Sequence, residues 1–320
     1  MLVIPEGDRV VFARVDGTVV ADPTWTNLVG FCETCGGEGG SPDGDGLLLS
    51  FTTSETLGGR RPGAIARIAA DGTLDFRVDG FGFPHDVIRD PADGSLLVVS
   101  TFSNAIEWIA GDGSSDERIR TLTSDHPEFP NTPNGAERID LGDRTLLLVS
   151  HRPSNGRITM WDITTTEEPE FLWRFPPSGS VDTPHGPILR RRGGDWWLLW
   201  AHTGGAGVVG TVGLAVTSDP TVAPTYVADL IPGDDVAPFV FLRGVELLED
   251  DRMFLADSSP RSFGVGRGRV IEARFPTNIT LPATGESGAV GDQRFEPLGE
   301  ARVLIDELSS PFESWYWPED

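Results

Sequence analysis

Four of the five histidines in this chain sit at two recurring kinds of position. His85 and His185 each follow a proline at the head of an apolar segment, in Pro84-His85-Asp86-Val87 and Pro184-His185-Gly186-Pro187. Asn134, in Pro133-Asn134-Gly135-Ala136, and Arg243, in Leu242-Arg243-Gly244-Val245, take the corresponding places elsewhere. His151 and His202 instead close apolar runs, as Thr101 and Asp257 do; His126 alone stands outside both groups. A neutral imidazole serves as nucleophile or base near neutral pH. Arginine and asparagine donate hydrogen bonds to sulfate-like or phosphate-like oxygens, arginine bidentately. The set therefore suits a reaction on a small anionic or aryl substrate. His85 and His185 are its catalytic candidates, and Asn134, Arg243, His151 and His202 its substrate-binding candidates. Zinc or another divalent metal held by His85 and His185 is an alternative; otherwise no cofactor is expected. A purely structural role is also open, with Arg243 paired to Asp257 and Asn134-Gly135 making a turn.

The elements that carry these residues repeat. Apolar runs end at Thr52, Thr101, His151, His202 and Asp257. Their spacing of about 50 residues suits one four-stranded blade of a β-propeller. A turn signal precedes each run: Asp43-Gly44, Asp93-Gly94, Gly142-Asp143, Gly194-Asp195 and Asp250-Asp251. An alternating strand follows each, beginning with Ala64-Ile65-Ala66-Arg67-Ile68, and no window has helical periodicity. The expectation is an all-β chain, residues 1–320 forming one six-bladed β-propeller, with seven blades as the alternative. A split sixth blade would close it: Arg9 to Val15 as an outer strand, Arg302 to Asp306 as the apolar run. Residues 276–300 fit the repeat poorly and read as an inserted loop. If the first strand of each blade lies nearest the axis, His85, His185, Asn134 and Arg243 converge at one channel mouth, with His151 and His202 farther out.

The stretch from Pro84 to Thr101 has His-Asp-Val, then an Asp-Gly turn, then an apolar run. It resembles the blades of arylsulfotransferase-like six-bladed propellers, and the likeness extends over about residues 35–275. The resemblance implies sulfuryl transfer through a histidine, at His85 or His185, with Asn134 and Arg243 binding the transferred group. Related propellers of the NHL or lyase type hold a divalent ion on the axis, which keeps a metal-dependent lyase or hydrolase as an alternative. A non-catalytic binding scaffold with a protein partner is the other class, because fold does not decide function.

Composition removes several classes. The 49 acidic residues outnumber 25 basic ones, all of them arginine, for a net charge of −24. Such a surface repels nucleic acid and anionic lipid and fits a high-salt, halophilic setting. No apolar stretch approaches the roughly 20 residues of a membrane span. The first eight residues carry no signal-peptide pattern. A leader already removed would leave the same sequence, and the resemblance then favours an extracytoplasmic location. Cys32 and Cys35, the only cysteines, are spaced as C-x-x-C in a glycine-rich segment. A local disulfide is the plainest use, since a zinc knuckle needs a second ligand pair. Trp196, Trp197 and Trp200 read as packing between blades, and Trp315-Tyr316-Trp317 either closes the ring or lines a pocket.

Overall fold

A computed structural model describes residues 1–6, 9–20, 36–52, 62–152, 156–165, 168–203, 210–258, 268–279, 281, 294–308 and 315–316. Cys32, Cys35 and Trp317 lie outside the described residues. Among those described there is no helix; the strands form six sheets, the blades of a six-bladed β-propeller. The chain divides into two compact units, Met1–Leu146 with Asp162–Glu170 and Trp315–Asp320, and Leu147–Trp161 with Phe171–Ser314.

In the first unit, β1 (Leu2–Glu6), β2 (Arg9–Ala13) and β3 (Val19–Val20) form a sheet completed on the β1 side by the last strand, β25 (Trp315–Tyr316). Val3 opposes Trp315 and Leu2 opposes Tyr316. Termini therefore meet in one blade, as expected, but by different segments. Arg302–Asp306 does not supply the closing run. It belongs to β24 (Ala301–Leu308), the outer strand of another sheet, and Leu2–Ile4 is the buried apolar run instead. The next sheet runs β4 (Gly36–Asp43), β5 (Gly46–Thr52), β6 (Pro62–Ile68), β7 (Leu74–Gly82). Its neighbour runs β8 (Pro84–Arg89), β9 (Leu96–Ser100), β10 (Ala105–Ile109), β11 (Arg118–Thr123). A further sheet has the order β12 (Pro133–Asp140), β13 (Thr145–His151), β14 (Arg157–Asp162), β15 (Glu170–Phe175), of which β12 belongs to the first unit and most of the other three strands to the second.

The second unit holds β16 (Pro184–Arg192), β17 (Asp195–His202), β18 (Thr211–Thr217) and β19 (Thr225–Ile231) in one sheet. The other contains β20 (Leu242–Leu247), β21 (Arg252–Asp257), β22 (Gly268–Arg274) and β24. Residues 276–300, expected as a loop, contribute β23 (Phe295–Pro297), which pairs parallel with β19 as a fifth strand.

The second strand of each blade explains why the sheets stack. Every residue of β5 and β9 is buried, without polar alternation, so both faces need an apolar cover. Leu48, Ile65, Val78 and Phe81 of one sheet pack with Val87, Leu96, Val98 and Ile109 of the next. Leu199, Leu214 and Leu230 likewise pack with Leu242, Leu255 and Ile271 in the second unit. Trp197 meets Phe275 edge-on at 5.4 Å and Trp200 lies 5.3 Å from Phe175, which makes both packing residues.

Turns absorb much of the acidic charge. Between the third and fourth strands, five blades carry Asp-x-Thr or Asp-x-Ser: Asp16, Asp71, Asp112, Asp162 and Asp219. In each, Oδ1 accepts the amide N–H two residues on. These bonds to Thr73 hold the Asp71 carboxyl below its ordinary range. Burial raises Asp43, but hydrogen bonds from Arg89 and Arg67 outweigh it and hold this carboxyl low as well. Asp86 goes the other way. Burial pushes it up to about 7, only partly countered by the Ala136 and Val87 amides, with Glu137 adding repulsion.

Two predictions follow from this packing and charge. Stabilisation by depressed carboxyls such as Asp43 is present above 3.8 and lost as pH falls. The raised Asp86 contributes oppositely: its term is complete below 3.8 and disappears as pH rises through about 7. The displacement is worth on the order of 4 kcal/mol. Asp86→Asn removes that slope, so urea midpoints should move in the variant's favour, relative to wild type, as pH rises from about 4 to about 7. Gly213 faces Trp200 so closely that an added Cβ would sit 2.0 Å from its ring. Gly213→Ala should therefore cost about 1–3 kcal/mol in the same measurement.

Candidate functional site

The first strand of each blade is called here its lead strand. Five lead strands begin alike: Gly37-Glu38-Gly39 in β4, Pro84-His85-Asp86 in β8, Pro133-Asn134-Gly135 in β12, Pro184-His185-Gly186 in β16 and Leu242-Arg243-Gly244 in β20. The pairing register slips at this point. Gly37 opposes Phe51 and Gly39 opposes Ser50, which leaves Glu38 as the extra residue. The same slip leaves out His85 between Pro84 and Asp86, and Arg243 between Leu242 and Gly244. In β16 the slip falls just after His185. A bulge releases a residue from the ladder and re-aims its side chain, which is why bulges gather at functional sites.

Backbone strain marks the same place. Phe83, Thr132 and Thr183 have φ of 57°, 56° and 31°, and each directly precedes the lead-strand proline. A preceding residue is normally pushed to extended geometry, and aromatic or β-branched residues rarely enter the left-handed region. Such strain costs of order 1–3 kcal/mol per residue and persists only where its surroundings enforce it. The enforcing contacts come from the end of the second strand. Thr101 N–H donates to Phe83 O at 3.2 Å and Phe102 N–H to Gly82 O at 2.8 Å. Thr203 donates to Thr183 O through both N–H and Oγ1. Asp257 Oδ1 accepts from the amides of Val240 and Phe241.

In the first unit the lead strands β4, β8 and β12 are adjacent, linked by Ser41 Oγ to Val87 O at 2.9 Å and by the Ala136 amide to Asp86 Oδ2 at 3.4 Å. The side chains at the heads of these strands are all buried: Glu38 and His85, at the bulges, at 3% exposure, and Asn134 at 0%. Thr52 Oγ1 donates to Glu38 Oε1 at 3.1 Å. Thr101 Oγ1 donates to Pro133 O at 2.6 Å, and the Thr132 amide donates to Asn104 Oδ1 at 2.9 Å, so the lead-in to Asn134 is tied to the β8–β9 sheet. His85 meets Phe83 edge-on at 4.7 Å, and Phe83 stacks on Phe102 at 4.9 Å with both rings half-exposed. Glu38 was missed in the sequence. Its signal was present, because Gly37-Glu38-Gly39 precedes the Leu47 run as Pro84-His85-Asp86 precedes the Leu96 run, but the flanking prolines of other blades are absent.

In the second unit, His185 is buried and Arg243 lies over the Phe241 ring at 4.7 Å. His202 Nδ1 sits 2.8 Å from Asp182 O, in the turn leading to His185. Its Nε2 accepts from Trp200 Nε1 at 2.9 Å and faces Asp229 Oδ1 at 3.2 Å. Burial, then the charge of Asp229, pushes the nearby Tyr226 hydroxyl far upward. His151 Nε2 is 2.9 Å from Thr159 Oγ1, which also accepts from the Trp161 indole. Asp257 pairs with Arg269 rather than with Arg243, at 2.9 Å. Burial raises its carboxyl, opposed by the Phe241 amide and Arg269. His151 and His202 thus end second strands, whereas His85, Asn134, His185 and Arg243 lie at the heads of lead strands. The pair considered for a metal, His85 and His185, belongs to different units. Among the described residues no group of three or more His, Cys, Asp or Glu side chains forms a metal-binding array.

No protein-family model matches the chain, and no curated protein matches it. Solved structures do. One chain of a nidogen–laminin complex superposes with a TM-score of 0.57 at 13% identity, over 96% of this chain and 98% of the other. A functionally unknown protein from Desulfotomaculum acetoxidans gives 0.54 at 10% identity, over 95% and 99%. The periplasmic gluconolactonase of Pseudomonas aeruginosa gives 0.53 at 12% identity, over 98% of both chains. At these identities the likeness establishes the fold: the chain is a six-bladed β-propeller.

Proposed function

We propose that this protein is a propeller enzyme that hydrolyses an ester or lactone of a small molecule, with His85 as its general base. The observation that carries the proposal is that Glu38 and His85, both at bulges, and Asn134, at the corresponding place in the repeat, are buried at the heads of three adjacent lead strands. Buried imidazole, amide and carboxylate groups are what hydrolysis uses. His85 takes a proton from water as the water oxygen bonds to the substrate carbonyl carbon. The Asn134 amide donates to the oxygen that gains charge. The carbon–oxygen bond of the leaving group then breaks, and the proton passes from His85 to the departing alkoxide or phenolate. Glu38 disfavours a strongly anionic group in this part of the site by like-charge repulsion. The half-exposed Phe83–Phe102 stack beside His85 supports an aromatic portion in the substrate. That one solved neighbour is a gluconolactonase is compatible with this chemistry.

A second reading is sulfuryl transfer from an aryl sulfate through a histidine. It is supported by His185 and Arg243, which supply anion-binding groups to the lead strands of the second unit. A propeller that only binds a partner is the non-catalytic alternative, and a nidogen–laminin complex contains a chain of this fold.

Turnover decides among them. Purified protein should release p-nitrophenol from p-nitrophenyl acetate or open a simple lactone. His85→Gln should lower kcat/KM by about 100-fold or more while leaving the thermal midpoint nearly unchanged. Release from p-nitrophenyl sulfate that requires a phenol acceptor would favour sulfuryl transfer instead. No turnover of any of the three, with His85→Gln indistinguishable from wild type, would leave the binding scaffold.

A further inference from the structure

We infer that Asp86 is a positioning residue, whose buried carboxyl fixes the bulge that presents His85 and fastens it to the strand that presents Asn134. This rests on the hydrolytic reading for its consequence in catalysis, but its structural part stands independently. Asp86 is 5% exposed, and among the described residues no arginine pairs with it. An acid is expensive in such a place. Its charge meets further opposition from Glu137 on β12. A small polar side chain would satisfy one amide at less cost.

A carboxyl has two oxygens, and here each serves a different strand. Oδ1 accepts from the Val87 amide at 3.0 Å, two residues beyond His85 in β8. Oδ2 accepts from the Ala136 amide at 3.4 Å, two residues beyond Asn134 in β12. One side chain thereby joins the two lead strands, at the same number of residues beyond His85 and beyond Asn134. Thr101 and Asn104 hold the turn before Asn134, and Asp86 holds the strand after it, so Asn134 is bracketed from both sides by the His85 sheet. Losing the bracket frees both side chains to shift relative to each other. Misplacement by about 1 Å is enough to cost about 100-fold in rate.

The test uses the full chain. Asp86→Asn keeps the shape but replaces one acceptor by a donor. Asp86→Ser retains an acceptor within reach of Val87 and loses the reach to Ala136. Asp43→Asn, which breaks ion pairs to Arg67 on β6 and to Arg89 at the far end of β8, controls for general loosening. NMR signals of the His85 ring and the Asn134 side-chain amide are followed in each, with thermal midpoints and esterase kinetics. Asp86→Asn is expected to move both signals and lower kcat about 100-fold with KM within about twofold. Asp86→Ser should move Asn134 more than His85, and Asp43→Asn should lower the midpoint while moving neither. Unmoved His85 and Asn134 signals in Asp86→Asn would overturn the proposal, as would equal movement in Asp43→Asn. Should the wild type turn over no ester while the signals respond as expected, the hydrolytic reading fails and the positioning role stands.

Discussion

Burial of the second strand on both faces is the constraint on which the rest depends. A strand such as β5 has no polar face to give to water, so its sheet is stable only between neighbours. Face-to-face packing follows, with Leu48, Ile65 and Phe81 covering Val87, Leu96 and Val98. The faces of the sheets are thereby spent on packing. Polar side chains are left to the strand ends and turns, where Glu38, His85, Asn134, His185 and Arg243 are found.

Placing a polar group at the end of a buried strand raises a second difficulty. A regular ladder would point it into the apolar sheet interface or pair it away. The bulges at Glu38, His85 and Arg243 take these residues out of the alternation. Left-handed residues at Phe83, Thr132 and Thr183 turn the chain sharply enough to begin each lead strand there. Neither device is stable alone. Thr101, Thr203 and Asp257, at the ends or just beyond the ends of the second strands, supply the hydrogen bonds that hold these turns. The column of residues at those ends therefore has a job distinct from that of the lead-strand column, and His202, bonded to the turn before His185, shares it.

The acidic excess divides in the same way. Aspartates at Asp16, Asp71 and Asp112 close turns and keep their charge in water, where a bond to the next-but-one amide stabilises it. Asp43 is buried but meets two arginines. Asp86 is buried and meets only amides, and its proton affinity rises accordingly. One residue type thus serves as turn lock, ion-pair partner and bulge fastener, with its surroundings setting the charge.

Much of this was legible in the residues alone. Apolar runs ending at Thr52, Thr101, His151, His202 and Asp257 are local and periodic, and hydrophobic period together with turn chemistry is enough to specify strands and their repeat. The Asp-x-Thr turns are equally local, since an aspartate two residues before a threonine closes such a turn with its own side chain. Closure was harder. Arg302–Asp306 and Leu2–Ile4 both look like buried or half-buried strands, and which pairs with which is a non-local choice that no local pattern encodes. Trp315 and Tyr316 close the sheet because β1 has an open edge there, and only the assembled sheet has that edge. The candidate site divides likewise. Residue type and position in the repeat were enough to single out His85, Asn134, His185 and Arg243. Glu38, the bulges, the strained turns and the separate work of His202 emerged only with tertiary structure, because register and hydrogen-bond partners belong to pairs of strands rather than to any one segment.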